Sequence, residues 1–409
     1  MSDEQPFKRT VYFIGGLHPF GFRFFWPIIK RHARKHSKMY DRKITPELSG
    51  EWGGEKQAVL TSKEEGHREV ITTYRFMKWH DLVSVRMKEN FYLSQIQGYL
   101  LMLKFLLSGD MLNLYRHYWG FANGILFVSV LPLTVLGLSW YGVYQFLNAG
   151  FLPVNLHMGL DIFLGYMAAC VVIHAVESYR ENIFHFRHYY QLLKVRNEYV
   201  KGPVEDLEPR IEKFKEQIKQ AYLEDDSDEV LLIGHSYGTL LCIDIMDRIF
   251  REVGGAKPKA KSFGIVTLGA IHHFIASIKS ASHYRNALKN VGGDDRIYWF
   301  EAFSPQDGLN FPKKNAVKDF TDVEPKAGPH QKSVRYRELV TAEHYKKNKR
   351  NFWDMHFQYL KEGDYQGAYS YFRIICSDQF LENNYGLREK PVEGFMNPAL
   401  YKSDEKTDK

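Results

Sequence analysis

The sequence is poor in cysteine and lacks the signals of several protein classes. Its three cysteines among 409 residues, Cys170, Cys242 and Cys376, lie far apart and form no C-x-x-C pair. This spacing argues against a disulfide framework and a zinc site and fits a reducing compartment. The first ten residues are polar and no A-x-A-like cleavage site follows an apolar run, so we expect no secretory signal. The net charge of +7 comes without a nucleic-acid-binding motif. We therefore expect no nucleic-acid partner, metal or cofactor.

One long stretch contains no charged residue. Residues 118–160 include no Asp, Glu, Lys or Arg, and these 43 residues suffice for one membrane crossing, a turn and the start of a second. We place the two spans at about 121–146 and 152–176. The outer flanks are basic and the connecting loop is uncharged, so the positive-inside rule predicts that both chain ends are cytoplasmic. We expect an integral protein of the inner or plasma membrane of a bacterium; a buried helical pair of a soluble fold is the alternative.

Two further features lie within or beside this predicted pair of membrane spans, the transmembrane hairpin. Residues 91–107 are apolar but are interrupted by serine, glutamine and lysine, and they predict an interfacial or buried helix. Asp161 lies near the middle of the second span, where a carboxylate costs on the order of 3 kcal/mol. We expect a structural role for Asp161; a functional role together with His157 or His174 is the alternative.

The stretch V-L-L-I-G-H-S-Y-G-T-L-L at 230–241 joins a fully apolar run to apolar residues at helical spacing. The first part fits a strand that is buried on both faces, and the second part fits a helix. Between them, Gly234 and Gly238 lack Cβ atoms, so strand and helix can approach each other around a strained Ser236. The pattern predicts a sharp turn that presents Ser236 at the carboxyl end of a sheet. A glycine-rich turn whose serine caps the helix is the alternative.

With this G-x-S-x-G elbow, the chain resembles the α/β-hydrolase superfamily. The resemblance implies an α/β fold in which helices flank a mostly parallel sheet. The predicted two-helix transmembrane hairpin is an insertion that departs from the family, because soluble members have a loop or a lid there. We place strands at 10–16, 69–78, 230–233, 262–268, 296–303 and 333–341, and an amphipathic helix at 207–223. The predicted domains are an N-terminal part of the hydrolase domain at 1–90, a helical insertion at 91–200, a C-terminal part at 201–400 and a disordered tail at 401–409.

The resemblance also implies the chain order Ser, then Asp or Glu, then His. Asp307 follows the predicted strand at 296–303, where the acid of the family lies, and it is the predicted acid. Glu301 lies within that strand, and Asp319 and Asp322 lie further along the chain. An ordinary Asp-Gly turn is the alternative for Asp307.

Three histidines follow Asp307 in the chain: His330, His344 and His356. His356 is flanked by aromatic residues at the start of an apolar stretch, where the histidine of the family would lie, and it is the predicted base. His344 lies among lysines, which would lower its basicity, and it is the alternative base. A partly buried core histidine is the other interpretation of His356.

The segment T-V-Y-F-I-G-G at 10–16 resembles the third strand of the family and its oxyanion loop. The backbone N–H of Tyr237 is the first predicted donor of the oxyanion hole, and that of Leu17 or Gly16 is the second. Gly15 stands where the common pattern has a histidine. A strand that ends in a Gly-Gly turn is the alternative.

An aromatic run at 20–29 precedes a basic run at 30–43. This arrangement suits docking on an anionic leaflet, which would hold the site close to the bilayer. A solvated basic helix that covers the sheet is the alternative.

Taken together, these patterns predict a membrane-anchored serine hydrolase of the esterase or lipase type. Ser236, His356 and Asp307 would cleave a lipid or long-chain acyl ester through an acyl-enzyme. The expected partners are the bilayer and this ester, with a homo-oligomer through the hairpin as a further possibility. The alternatives are an acyltransferase or thioesterase with the same triad, and a non-catalytic hydrolase-like membrane scaffold.

Overall fold

The computed structural model describes residues 5–147, 149, 158–179, 186–367 and 369–384. The chain divides into two compact units: Met1–Ser84 together with Val200–Lys409, and Val85–Tyr199. The second unit covers nearly the residues of the predicted insertion at 91–200. The predicted tail at 401–409 lies outside the described residues.

Eight strands of the described residues form one sheet. They are β1 (Phe7–Ile14), β2 (Lys43–Trp52), β3 (Glu55–Lys63), β4 (Val70–Phe76), β5 (Glu229–His235), β6 (Ser262–Leu268), β7 (Tyr298–Phe303) and β8 (His330–Ser333). Their order across the sheet is β2-β3-β4-β1-β5-β6-β7-β8. The neighbours in the run β4-β1-β5-β6-β7-β8 pair in parallel. Strand β3 pairs antiparallel with both β2 and β4. The predicted α/β class with a mostly parallel sheet is confirmed.

Helices flank this sheet and form the second unit. They are α1 (Phe22–Met39), α2 (His80–Met87), α3 (Phe91–Leu107), α4 (Asp110–His117), α5 (Trp119–Phe146), α6 (Met158–Tyr179), α7 (Phe186–Tyr199), α8 (Glu208–Glu224), α9 (Gly238–Val253), α10 (His272–Ala276), α11 (Ser282–Gly292), α12 (Ala316–Phe320), α13 (Tyr336–Leu339), α14 (Ala342–Asn348), α15 (Phe352–His356), α16 (Tyr371–Cys376) and α17 (Leu381–Asn384). A short 3-10 helix at Phe357–Leu360 follows α15. Helices α3 to α7 belong to the second unit.

The centre of the sheet joins segments that are far apart in the chain. Strand β1 pairs in parallel with β5, from Arg9 opposite Glu229 to Ile14 opposite Gly234. A buried ion pair of 2.7 Å joins the Arg9 and Glu229 side chains, which are 220 residues apart in sequence. Both strands end at the same edge of the sheet, so the glycines after β1 lie beside the turn after β5.

Two sequence predictions about strands were wrong or incomplete. The last strand is His330–Ser333 and not 333–341, because Tyr336, Leu339 and Val340 are buried at helical spacing around α13. The antiparallel strands β2 and β3 were missed. Most residues of β2 are exposed and polar, so this strand carries little of the apolar alternation that marks a half-buried strand.

Helix α1 covers the sheet with the aromatic run that suggested membrane docking. Phe25, Trp26 and Ile29 are buried in the core together with β1 and β4, whereas Phe20 before the helix is exposed. The prediction that this aromatic run docks on a membrane is therefore wrong for its buried residues. The structure has the alternative arrangement, a basic helix packed on the sheet, because the aromatic residues repeat at helical spacing and face inward.

In the second unit, the predicted helix at 91–107 is present as α3. Helices α5 and α6 pack closely, since a Cβ atom added at Gly165 would lie 2.6 Å from the Cα of Trp140. Among the described residues, no helix combines the length and the apolar composition that a bilayer crossing requires. Part of the second predicted span, 152–157, lies outside the described residues.

Candidate functional site

Ser236 lies in a strained turn between β5 and α9. Its φ is 55°, a left-handed value that a residue with a Cβ adopts only at a cost of about 1–3 kcal/mol. The two glycines of the motif are required by close packing. A Cβ at Gly234 would lie 2.6 Å from the carbonyl oxygen of Gly238, and a Cβ at Gly238 would overlap the carbonyl oxygen of Ile14. Strand, turn and helix therefore have the arrangement predicted for an elbow.

The serine does not cap the helix that follows it. Helix α9 has no hydrogen bond from a capping side chain, and Thr239 instead donates its hydroxyl to the carbonyl oxygen of Ser236 at 2.6 Å. The Ser236 N–H donates to the carbonyl of Leu268 at 2.9 Å, which ties the turn to the end of β6. The structure thus does not have the alternative arrangement, a helix-capping serine.

Asp307 and His356 form a buried pair. Nδ1 of His356 lies 2.9 Å from Oδ2 of Asp307, and both side chains are fully buried. Asp307 also accepts hydrogen bonds from the hydroxyl of Tyr359 at 3.0 Å and from the N–H of Leu309 at 2.8 Å. Burial alone would raise the pKa of this carboxyl, but the His356 ring and the hydrogen bonds hold it below its ordinary value. The aspartate is therefore ionised, and it receives the Nδ1 proton of the imidazole.

The second ring nitrogen of His356 differs from the first in its contacts. Nε2 of His356 is buried and has no hydrogen-bond partner among the described residues, so no hydrogen bond links it to the Ser236 hydroxyl. Both residues border the turn after β6. The Ser236 N–H bonds to Leu268, and a Cβ at Gly269 would lie 3.1 Å from Cε1 of His356. The structure thus brings the predicted serine and the predicted acid–base pair to one turn.

The alternative base belongs to a different network. Nδ1 of His344 lies 2.7 Å from Oδ2 of Asp364, and both side chains are partly exposed. Burial alone would raise the pKa of Asp364, but hydrogen bonds from Lys35, Thr341 and His344 lower it to about 2. His344 therefore has its own carboxylate, and Asp307 is bonded to His356 instead.

The remaining candidates serve other contacts. Glu301 is buried and accepts a hydrogen bond from Gln331 at 2.6 Å. Asp319 lies 2.8 Å from Nε2 of His273, and Asp322 lies 2.7 Å from Lys289 at the surface. His330, on β8, stacks on Tyr298 with 4.5 Å between the ring centroids. None of these contacts involves Asp307 or Ser236.

The predicted oxyanion loop lies against the serine. A Cβ at Gly16 would be 2.8 Å from the Cβ and 3.3 Å from the Oγ of Ser236. The loop turns sharply after it, because the N–H of His18 donates to the carbonyl of Gly16 at 2.7 Å. Tyr237 is the N-terminal cap residue of α9, where backbone N–H groups point out of the helix. The predicted donors Tyr237, Gly16 and Leu17 thus belong to the two segments that flank the Ser236 hydroxyl.

Asp161 is buried in α6, with 8% of its surface exposed, and its Oδ1 has no hydrogen-bond partner among the described residues. His174 is exposed on the same helix, and His157 lies outside the described residues. The pairing of Asp161 with His157 or His174 stays a prediction.

Sequence reasoning missed three residues of the site. Tyr359 bonds to Asp307, Gly269 makes room for the imidazole, and His235 packs on it with 4.7 Å between the ring centroids. Only Gly269 had a local signal, a glycine directly after a buried strand, and it has a φ of 59°. The other two contacts depend on packing between distant segments.

His235 gives the fold a dependence on pH. Its Nε2–H donates to the carbonyl of His356 at 3.0 Å, and burial, reinforced by the His356 ring, lowers its pKa to about 3. In the unfolded chain its pKa is about 6.5, so the unfolded chain binds more protons between these values. We expect this histidine to make the free energy of unfolding about 3 kcal/mol lower at pH 4.5 than at pH 7.

The check is denaturant unfolding of the wild type and His235→Gln at both pH values. Glutamine keeps a donor for the His356 carbonyl but does not titrate, so the drop from pH 7 to pH 4.5 should be smaller by about 3 kcal/mol. An equal drop in both chains would show that His235 is not buried in its neutral form.

Comparisons with protein-family models, with curated proteins and with solved structures found no match. The function is therefore inferred from the geometry of the site.

Proposed function

We propose that this chain is a serine hydrolase that cleaves a carboxylic ester. The observation that carries the proposal is the buried Asp307–His356 pair beside a serine held at positive φ. The Ser236 hydroxyl would attack the ester carbonyl while Nε2 of His356 takes its proton. His356 would then give the proton to the leaving alcohol, and a water molecule activated in the same way would release the acid from the acyl-serine.

The electrostatics of the pair suit this role. An ionised Asp307 fixes the imidazole with its proton on Nδ1, which leaves Nε2 as the basic nitrogen. The same carboxylate would stabilise the imidazolium that forms during attack. The separation of Nε2 from the serine hydroxyl is compatible with the proposal, because hydrogen bonds between catalytic groups are often long in a free enzyme and tighten when substrate binds.

Aromatic side chains surround the oxyanion loop in a narrow cleft of about 10 Å³, which has room for about one water molecule. It begins at the oxyanion loop and is lined by Phe13, Gly15, Gly16, His18, Gly21, Phe22, Phe25, Glu55, Phe76, Met77, Trp79 and His80. Aromatic side chains supply large apolar contact area for a ligand. A lipid or another long-chain acyl ester is the substrate class that we propose from these aromatic side chains, and the cleft would have to widen to admit its acyl chain.

The proposal includes anchoring at a membrane, with the catalytic unit in the cytoplasm. Its support is the uncharged segment at 118–160 and the large apolar side chains that α5 and α6 expose. These are Phe127, Val130, Leu138, Trp140, Phe146, Ile162, Phe163, Val171 and Val172. Where such side chains form one patch, they mark a membrane or protein contact.

One experiment tests chemistry and anchoring together. Membranes from cells that produce the chain are treated with a fluorophosphonate probe and then washed with alkaline carbonate. The wild type should be labelled and remain in the pellet, whereas Ser236→Ala should remain in the pellet unlabelled. Equal labelling of both chains would remove Ser236 from the mechanism, and a folded but unlabelled wild type would favour the non-catalytic scaffold. A labelled band in the wash would contradict the anchor alone.

A further inference from the structure

Trp79 contacts both segments that border the serine, one through its backbone and the other through a side chain. It is buried and follows β4, with 4% of its surface exposed. Its indole Nε1–H donates to the carbonyl oxygen of Gly15 at 3.0 Å. Its ring stacks on that of Tyr237, with 5.8 Å between the centroids and 25° between the planes. One side chain thus joins the loop after β1 to the residue after Ser236.

The Gly15 carbonyl is held on two sides. The indole bonds to it, and a Cβ at Gly238 would lie 2.9 Å from the same oxygen. The first residue of α9 therefore packs directly against the loop. Because Gly16 follows this carbonyl and lies beside the Ser236 hydroxyl, a shift of Gly15 would move the Gly16 and Leu17 N–H groups relative to the serine.

We propose that Trp79 is a positioning residue that fixes the distance between the two halves of the oxyanion hole. One half is the Gly16–Leu17 backbone and the other is the Tyr237 N–H. The inference rests on the proposed hydrolase function. Two donors stabilise an oxyanion only when both reach the same oxygen, so their separation has to be set before the substrate arrives. Trp79 sets it through the Gly15 hydrogen bond on one side and the Tyr237 ring on the other.

This role has a kinetic signature. The oxyanion exists in the transition state and not in the bound ester, so a displaced loop should lower kcat and leave KM nearly unchanged. Loss of a whole oxyanion donor lowers kcat about 100- to 1000-fold. Misplacement of a donor that remains present should have a smaller effect, and we expect a decrease of about 10- to 100-fold.

The test is Trp79→Phe in the full chain, assayed with 4-nitrophenyl butyrate. This change removes the indole N–H and keeps an aromatic ring against Tyr237 and in the cleft that Trp79 lines. The short butyryl chain of this substrate limits any effect on KM through that cleft. Trp299→Phe is the matched control, because Trp299 is fully buried and its Nε1–H donates to Thr267 at 2.9 Å, so its indole holds neither Gly15 nor Tyr237. Trp79→Phe should lower kcat about 10- to 100-fold with KM within about twofold, whereas Trp299→Phe should change both by less than about twofold.

A second replacement separates positioning from folding. Benzothienylalanine at position 79 has sulfur in place of the indole N–H and nearly the same shape, so it should fold like the wild type and still lower kcat. Equal kcat in the wild type and this variant would overturn the inference while leaving the hydrolase intact. A decrease that appears mainly in KM would also overturn it. A wild type with neither esterase activity nor probe labelling would overturn the proposed function, and the inference with it.

Discussion

Ser236→Ala is expected to lower the turnover of an ester substrate about a million-fold. The reason is that serine, histidine and aspartate act as one unit, so removal of the nucleophile removes the whole covalent route. Any activity that remains would come from substrate binding and the oxyanion donors alone. The measurement is kcat of the purified chain on a 4-nitrophenyl ester, with turnover normalised to folded protein.

The alanine variant should fold normally. Alanine keeps the Cβ atom, so the φ of 55° at this position costs about the same as in the wild type. Ser262→Ala is the control, since Ser262 begins β6 at the opposite end of the sheet from Ser236. It should retain turnover within about twofold. If Ser236→Ala kept more than about one per cent of the wild-type kcat, another nucleophile would be responsible.

Asp307→Asn should lower kcat about ten-thousand-fold. The amide oxygen in the place of Oδ1 can still accept from the N–H of Leu309, but the charge is lost. The NH2 group in the place of Oδ2 can donate to Nδ1 of His356, and it can no longer accept from the Tyr359 hydroxyl. The imidazole would then carry its proton on Nε2, where it cannot accept the proton of the serine. We expect a large decrease in kcat with nearly normal unfolding, measured by steady-state kinetics and thermal denaturation.

The chain offers a matched pair for this test. Asp364 contacts Nδ1 of His344 at 2.7 Å, much as Asp307 contacts His356, but both partners are partly exposed. Asp364→Asn should leave kcat within about twofold of the wild type, because it removes a histidine–carboxylate pair outside the proposed triad. If the two substitutions lowered kcat equally, or only Asp364→Asn did, His344 would become the proposed base.

The sequence predicted those parts of the fold that depend on local chemistry. Strand β6 has the predicted bounds, and the elbow follows from an apolar run, two glycines and a helical repeat. Asp307 could be placed because it follows a buried strand, and its contact with His356 agrees with the order of residues in the resembled family. The catalytic roles of these residues stay predictions.

Other features of the fold and the site could not be predicted from the local sequence pattern. Strand β2 is exposed along most of its length, and the segment predicted as the last strand carries buried residues that suit a helical turn equally well. The choice between His356 and His344 depends on which carboxylate each ring meets across the fold. The hydrogen bond from Trp79 to Gly15 joins residues 64 positions apart, and a tryptophan between two helical or extended segments gives no local sign of it.

The pairing of β1 with β5 limits when the sheet can form during synthesis of the chain. Arg9 and Glu229 are separated by 220 residues, and ribosomes add about 5–20 residues per second. Strand β1 therefore waits roughly ten seconds or more for its neighbour while helices α3 to α7 are synthesised. During this time the growing polypeptide holds the two loop glycines but none of Ser236, Asp307 and His356, and it has an open strand edge that a chaperone could cover. If the proposed mechanism holds, a nascent chain of this kind has no hydrolytic activity until its last third has been translated.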